Sequence, residues 1–131
     1  MRSLIALLLL GLCLPALAEE KILNIYNWAA YLPEEGLQQF KDQTGIAIKL
    51  DTFDSPEVLE SKLLTGGSGY DLVFPSSSVL ARAIKAKAVQ EVPHDQLPHY
   101  ANLDPELLAK LAASDPGNRY GVPYTWGTVG L

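Results

Sequence analysis

The sequence predicts an α/β fold in which a parallel β-sheet is covered by helices on both faces. Three short runs of mostly apolar residues, typical of covered strands, alternate with segments whose apolar residues recur at helical spacing. The order βαβαβα implies right-handed crossovers, so that all three strands run in the same direction. The carboxyl ends of the strands are therefore expected to meet at one edge of the sheet.

Residues 1–18 precede this fold and have the three parts of a secretory signal peptide. Arg2 supplies the positive charge, an apolar run follows, and Ala16-Leu17-Ala18 forms a small-x-small cleavage site. The apolar run is too short for a membrane span of about 20 residues. We therefore expect export to a bacterial periplasm, cleavage after Ala18, and no membrane insertion of the mature chain. Cys13 is the only cysteine, so the mature chain would have no disulfide.

The first two strands and the helix between them have clear local signals. We expect strands over Ile22–Asn27 and over Ile46–Phe53, where apolar residues alternate. Pro33 would begin the first helix and Gly45 would cap its C-terminus. A second helix begins at Ser55-Pro56-Glu57, with the serine hydroxyl expected as its cap. Its apolar residues at helical spacing are Val58, Leu59 and Leu63.

The second half of the chain continues the same pattern with weaker signals. A third strand is expected over Tyr70–Phe74 and is stopped by Pro75. Ser76–Ser78 open a third helix, either as capping hydroxyls or as the polar rim of a ligand site at the sheet edge. A short fourth strand is expected over Val89–Val92, and a last helix begins at Asp104-Pro105-Glu106.

Four side chains would gather at the carboxyl edge of this sheet, where open α/β sheets bind ligands. They are Trp28, Tyr31, Asp54 and Ser76. Aromatic faces bury methylene groups and attract ammonium groups, each contact contributing about 0.5–2 kcal/mol, which suits an aliphatic amine. A sugar stacked on Trp28 would use the same residues, and both rings could instead pack into the core. The chemistry of these residues alone therefore leaves the ligand open.

The composition argues against several other classes of protein. With 15 acidic and 10 basic residues the chain has a formal net charge of −5, which disfavours nucleic acid and is compatible with a cationic partner. His94 and His99 lie in a proline-rich loop and are expected to be solvated, so no metal or other cofactor is predicted. No activated nucleophile or dinucleotide motif is visible, and an exported enzyme has no support.

Several blocks of sequence carry a more specific signal. They are Tyr26-Asn27-Trp28 with Tyr31, Thr44-Gly45-Ile46, Phe53-Asp54-Ser55 with Glu57-Val58-Leu59-Glu60 and Lys62-Leu63, Gly69-Tyr70-Asp71-Leu72-Val73 with Pro75-Ser76, Asn102-Leu103-Asp104-Pro105-Glu106-Leu107-Leu108, and Pro123-Tyr124 with Trp126, Thr128 and Gly130. In this order and spacing the blocks resemble the periplasmic polyamine-binding proteins of ABC transporters, which bind putrescine or spermidine. The resemblance covers essentially all of the mature chain.

The resemblance implies a two-lobed periplasmic binding protein of type II, which clamps its ligand between two α/β lobes joined by a hinge. Residues 19–119 would form the first lobe and residues 120–131 an extended hinge segment, so that the chain is truncated at the hinge. Trp28 and Tyr31 match aromatics that hold the polyamine chain, and Ser76 matches a hydroxyl that lines the first lobe. The implied partners are a small polyamine and the membrane permease of the transporter.

Two further points qualify what the resemblance implies. Asp54 and Asp71 match the family pattern, and we expect both to be structural. Putrescine binders that resemble this chain carry Ser-Asp where Ala29-Ala30 stand here, which removes a carboxylate suited to an ammonium group. Spermidine or another amine therefore stays open as the ligand. The alternatives are a binding lobe for another small solute, such as an amino acid, an opine or a sugar, and a truncated product without binding activity.

Overall fold

The computed structural model of the chain describes residues 21–127. The expected signal peptide over residues 1–18 and its cleavage after Ala18 lie outside these residues. The last part of the expected hinge segment, residues 128–131, lies outside them as well.

Three parallel strands form a sheet in the order β2-β1-β3. Strand β1 (Ile22–Trp28) pairs with β2 (Ala47–Phe53) over its whole length, so that Trp28 lies opposite Phe53. Strand β3 (Leu72–Val73) pairs with β1 at two positions, opposite Ile25 and Tyr26. The parallel sheet predicted from the sequence is therefore confirmed.

Four α-helices and two short 3-10 turns complete the described part of the chain. The helices are α1 (Glu34–Thr44), α2 (Pro56–Leu64), α3 (Ser77–Lys85) and α4 (Pro105–Leu111), and the turns are His94–Gln96 and Tyr100–Asn102. Within residues 21–127 no helix combines the length and the apolarity that crossing a membrane requires.

The central strand is covered on both faces. Ile25, Tyr26 and Asn27 are consecutive and all buried, and successive side chains of a strand point to opposite faces. On the Tyr26 face the core is built from the sheet and from α2 and α3. Its buried residues are Tyr26, Phe53, Leu59, Leu63, Val79 and Ala83.

The helix boundaries follow the local chemistry, but the serine caps do not. Gly45 adopts a left-handed φ of 70° after α1 and donates its N–H to the carbonyl of Lys41 at 2.8 Å, as expected of a C-terminal cap. At α4 the carboxylate of Asp104 accepts the N–H of Glu106 at 2.7 Å. Ser55 and Ser76 occupy the cap positions of α2 and α3 without a capping hydrogen bond from their hydroxyls, so that part of the prediction is wrong.

Two strand predictions also need correction. The third strand is two residues long instead of spanning Tyr70–Phe74, although the main-chain N–H groups of Asp71 and Phe74 still donate to carbonyls of β1 at 2.9 and 3.2 Å. Val89–Val92 is not a strand, because its main chain makes one hydrogen bond to a neighbouring segment, from the N–H of Val92 to the carbonyl of Arg119. Residues 121–127 form neither helix nor strand.

The apolar face of α2 is narrower than its sequence suggests. Leu59 and Leu63 are buried, one turn apart, against the sheet. Val58 is 47% exposed, because it lies beside this stripe and not within it. The packing of α2 therefore rests on two leucines.

Candidate ligand-binding edge of the sheet

Four aromatic side chains from three parts of the chain line the carboxyl edge of the sheet. We call them the aromatic wall, and they are Trp28, Tyr31, Phe74 and Tyr124. Trp28 ends β1, Tyr31 lies in the turn before α1, and Phe74 follows β3 directly. The order β2-β1-β3 makes these strand ends neighbours. The topology thus gathers the aromatics that the sequence separates.

Trp28 is held on three sides and stays half-buried. Its indole Nε1 donates to the carbonyl oxygen of Phe74 at 3.1 Å, which ties the end of β1 to the end of β3. Its main-chain N–H donates to Oδ1 of the buried Asn27 at 2.8 Å. Its ring packs on Phe53 with 4.6 Å between the ring centroids. The alternative that Trp28 packs into the core is therefore partly correct. Its ring packs against the core cluster, but the side chain stays partly exposed at the edge of the sheet.

The turn that carries Tyr31 is partly strained and largely exposed. The N–H of Ala29 donates to the carbonyl of Phe53 at 3.1 Å, which continues the pairing of β1 with β2. Ala30 has a positive φ of 63°, a conformation that costs an L-residue roughly 1–2 kcal/mol. Tyr31 is 49% exposed, and its ring centroid lies 6.5 Å from that of Trp28. The structure thus places both predicted aromatics together at the expected edge.

Two wall residues were not among the predicted edge residues: Phe74, which was expected only as the end of the third strand, and Tyr124. The ring of Tyr124 meets Phe74 edge-on, with 4.9 Å between the centroids and a 69° angle between the planes. Its hydroxyl donates to the main-chain carbonyl of Tyr31 at 3.0 Å, across 93 positions of sequence. The signal that could have identified it is its place in the Pro123-Tyr124 block, which has no strand or helix pattern of its own.

The two polar residues predicted at this edge take different positions. Ser76 is half-buried at the start of α3, and its hydroxyl lies 3.2 Å from the hydroxyl of Ser78. Asp54 is exposed directly after β2, and among the described contacts it has no hydrogen bond or ion pair. Neither residue has a hydrogen bond or ion pair with a residue of the aromatic wall. Both lie at strand ends that the topology places at the same edge.

Asp71 lies at the opposite end of the sheet and has a structural role, as expected. One carboxylate oxygen accepts both the main-chain N–H of Asn24 at 2.8 Å and its side-chain amide at 3.0 Å. These hydrogen bonds favour the ionised form and lower the pKa of Asp71 below its ordinary value. Asp71 therefore fixes β3 against β1 and is remote from the candidate site.

The histidines do not form a metal site in the described residues. His94 was expected to be solvated, but it is half-buried and stacks on Tyr100 with 4.0 Å between the ring centroids. Its Nε2 is buried without a hydrogen-bond partner, whereas His99 is exposed. Across residues 21–127 no group of three or more His, Cys, Asp or Glu side chains is placed to hold a metal ion.

Comparison with known proteins gives a consistent family match. Residues 36–131 match the profile of the family described as "Bacterial extracellular solute-binding protein". The putrescine-binding periplasmic protein SpuD of Pseudomonas aeruginosa strain UCBPP-PA14 is 45% identical over 132 residues, which cover 99% of this chain and 36% of that protein. The putrescine-binding periplasmic protein PotF of Escherichia coli K12 is 46% identical over 114 residues, which cover 87% of this chain and 31% of that protein.

Solved structures of similar sequence share the fold. The spermidine/putrescine ABC transporter substrate-binding protein PotD of Streptococcus pneumoniae superposes with a TM-score of 0.74 at 34% identity, over 79% of this chain and 32% of that chain. The Tp0655 (TpPotD) lipoprotein of Treponema pallidum superposes with a TM-score of 0.76 at 30% identity, over 80% of this chain and 33% of that chain. The chain therefore spans about a third of the length of the relatives that it matches.

Proposed function

The chain belongs to the bacterial extracellular solute-binding protein family, and from this premise we propose that it captures a polyamine, putrescine or spermidine, for uptake by an ABC transporter. The observation that carries the proposal is the aromatic wall at the carboxyl edge of the sheet, where Trp28 and Tyr31 lie together. The names of the relatives, which are putrescine and spermidine binders, support the choice of ligand. The proposal concerns binding and release, and it assigns no catalytic residue.

Aromatic faces suit the two parts of a polyamine. The methylene chain loses its contact with water against a ring, and the ammonium groups are attracted by the negative face of the ring. We assign Trp28 and Tyr31 to these contacts. The indole N–H of Trp28 is already donated to the carbonyl of Phe74, so Trp28 offers its ring to a ligand and not its polar atom. Ser76 supplies a hydroxyl at the rim.

The ammonium groups also need acidic partners, because a desolvated charge without a partner is heavily penalised. Ala30 stands where putrescine binders resembling this chain carry an acid. Asp54 is the described carboxylate that directly follows a strand at this edge, and it is exposed. From the sequence we expect a structural role for Asp54. We propose instead that Asp54 is the partner of one ammonium group.

Location and partner follow from the same premise. SpuD and PotF are named as periplasmic proteins and the Streptococcus pneumoniae PotD as an ABC transporter substrate-binding protein, which supports a periplasmic location and delivery of the ligand to a membrane permease. The signal peptide pattern predicts that the exported chain begins at Glu19. Mass spectrometry of the chain recovered from an expressing bacterium tests this, and an N-terminus at Met1 would contradict it.

The binding test uses the two tryptophans of the chain, which give two indole N–H signals in a ¹H–¹⁵N spectrum. Trp28 reports on the aromatic wall. Trp126 is 70% exposed and faces Lys110, with 5.7 Å from the ammonium to the ring centroid, so it is a second reporter outside the aromatic wall. Replacing Trp126 by phenylalanine assigns the two signals. The ligands are putrescine, spermidine and uncharged 1,4-butanediol.

We expect both amines, and not the diol, to shift the Trp28 signal, and to shift it more than the Trp126 signal. Contacts at this edge supply about 1–2 kcal/mol against a cost of association of at least about 4 kcal/mol, so the net balance is unfavourable and the shift should rise with amine concentration without saturating in the millimolar range. Asp54→Asn should weaken the response to the amines. No shift of the Trp28 signal with either amine, or an equal shift with the diol, would refute the proposal.

A further inference from the structure

We propose that Tyr124 is a positioning residue that holds Tyr31 in the aromatic wall and ties residues 121–127 to the binding edge. The proposal rests on the function proposed above for its consequence on binding, but its structural part stands on the geometry alone. Tyr124 does not have to touch the ligand in this role. It acts through Tyr31.

The four wall residues form a closed circuit of contacts. Trp28 donates its indole N–H to the carbonyl of Phe74, and the ring of Phe74 meets the ring of Tyr124. Tyr124 donates its hydroxyl to the carbonyl of Tyr31, whose N–H donates back to the carbonyl of Trp28 at 3.4 Å. The other three residues lie within the first 74 positions. The hydroxyl of Tyr124 is the hydrogen bond that joins a later segment of the chain to them.

The turn before α1 depends on this outside contact because its own bonds are few. The main-chain N–H of Ala29 donates to Phe53 and that of Tyr31 to Trp28, and the second bond is long. Ala30 adds backbone strain to the same turn, and Tyr31 is half exposed. A side chain with little burial and a strained neighbour is held in one place only if a further bond fixes its main chain.

The main chain just before Tyr124 is itself held in place by the core. The buried carboxylate of Asp115 accepts the main-chain N–H groups of Arg119, Tyr120 and Gly121 at 3.0, 2.8 and 2.9 Å. Gly121 packs so closely on Leu80 that an added Cβ would lie 2.8 Å from a methyl carbon of the leucine. The segment that follows therefore leaves the core in a defined direction, and a shift of residues 121–127 would be transmitted to Tyr31.

The structural test is fluorine NMR of the full chain labelled with 3-fluorotyrosine, which has six tyrosines. Tyr31→Phe identifies the Tyr31 signal. Tyr124→Phe removes the hydroxyl but keeps a ring on Phe74, and Tyr120→Phe is the matched control because its hydroxyl lies at the limit of a hydrogen bond, 3.5 Å from Glu91. Far-ultraviolet circular dichroism of each variant establishes that the fold is kept.

We expect Tyr124→Phe to move the Tyr31 signal toward the position of free fluorotyrosine, and Tyr120→Phe to leave it in place. In the putrescine titration, Tyr124→Phe should weaken the response of Trp28 by about three- to tenfold, the range of one hydrogen bond. An unchanged Tyr31 signal in Tyr124→Phe would overturn the inference. If the parent chain shows no response to either amine, the proposed function fails, and the fluorine signal still decides the role of Tyr124.

Discussion

Tyr26 and Trp28 lie two residues apart on the same face of β1 and both pack on Phe53, but only Trp28 reaches the aromatic wall at the edge. Tyr26 is 7% exposed and is the centre of an inner aromatic cluster with Phe53 and Tyr70. Its ring stacks on Tyr70 with 4.6 Å between the centroids and meets Phe53 edge-on at 4.9 Å. Trp28, at the end of the strand, is half-buried and is the first residue of the aromatic wall.

The difference between the two groups lies in what their polar atoms bind. In the inner cluster the hydroxyl of Tyr70 donates to the carboxylate of Asp51 at 2.8 Å, and burial together with this bond raises the pKa of Tyr70 to about 12. In the wall the indole of Trp28 and the hydroxyl of Tyr124 donate to main-chain carbonyls. The polar group of the inner cluster is therefore bonded to a side chain. The wall is held by bonds to main-chain carbonyls, and the rings of Trp28 and Tyr31 stay partly exposed.

The largest contrast should appear when each group loses one ring. We expect Tyr26→Ala to lower the free energy of unfolding by about 3–5 kcal/mol, because it leaves a cavity beside Leu59 and Leu63. Tyr31→Ala removes a half-exposed ring and should change stability by about 0.5 kcal/mol or less. Urea unfolding of both variants measures the difference. Equal losses would show that the wall is part of the core and would remove the distinction.

A smaller effect is expected at the polar partner of the inner cluster. Tyr70→Phe leaves Asp51 without its phenol and should cost about 1 kcal/mol at neutral pH. The pKa of Tyr70 is higher in the folded chain than its ordinary value of 10.0, so folding favours the neutral phenol. This part of the stability is intact below pH 10 and is lost as the pH rises through about 12.

Unfolding of the parent and of Tyr70→Phe between pH 7 and pH 12 checks this sign. The stability difference between the two should shrink as the pH rises above 10. A difference that stays constant over this range would mean that the phenol of Tyr70 titrates as it does in an unfolded chain.

The smallest effect concerns the turn at the start of the wall. Asn and Asp tolerate the left-handed conformation of Ala30 better than alanine does, so Ala30→Asn and Ala30→Asp should each stabilise the chain by up to about 1 kcal/mol. The two variants have nearly the same shape, and the added carboxylate should strengthen putrescine binding of the Asp variant over the Asn variant by roughly two- to fivefold. Equal binding by both would place the ammonium groups elsewhere.

Local chemistry made much of this molecule predictable. Gly45 and Asp104 mark helix ends because their caps involve residues within four positions in sequence. The edge that gathers Trp28 and Tyr31 followed from the parallel direction of the strands, which the βαβαβα pattern implies. The shortening of β3 to Leu72–Val73 has no signal in the local sequence. Spacing also could not reveal the bond from Tyr124 to Tyr31, because the two residues lie 93 positions apart.

The pairing of β1 also orders the assembly of the chain. Ile22 meets Ala47 on one side of β1, whereas Ile25 meets Leu72 on the other, so the second pairing closes a longer loop and forms two positions only. Contacts between more distant residues form more slowly, and we expect β1 and β2 to pair before β3 docks. The hydrogen bond from the indole N–H of Trp28 to the carbonyl of Phe74 can form only after that docking. In a chain without Trp126, stopped-flow fluorescence of Trp28 should therefore report the last step of folding.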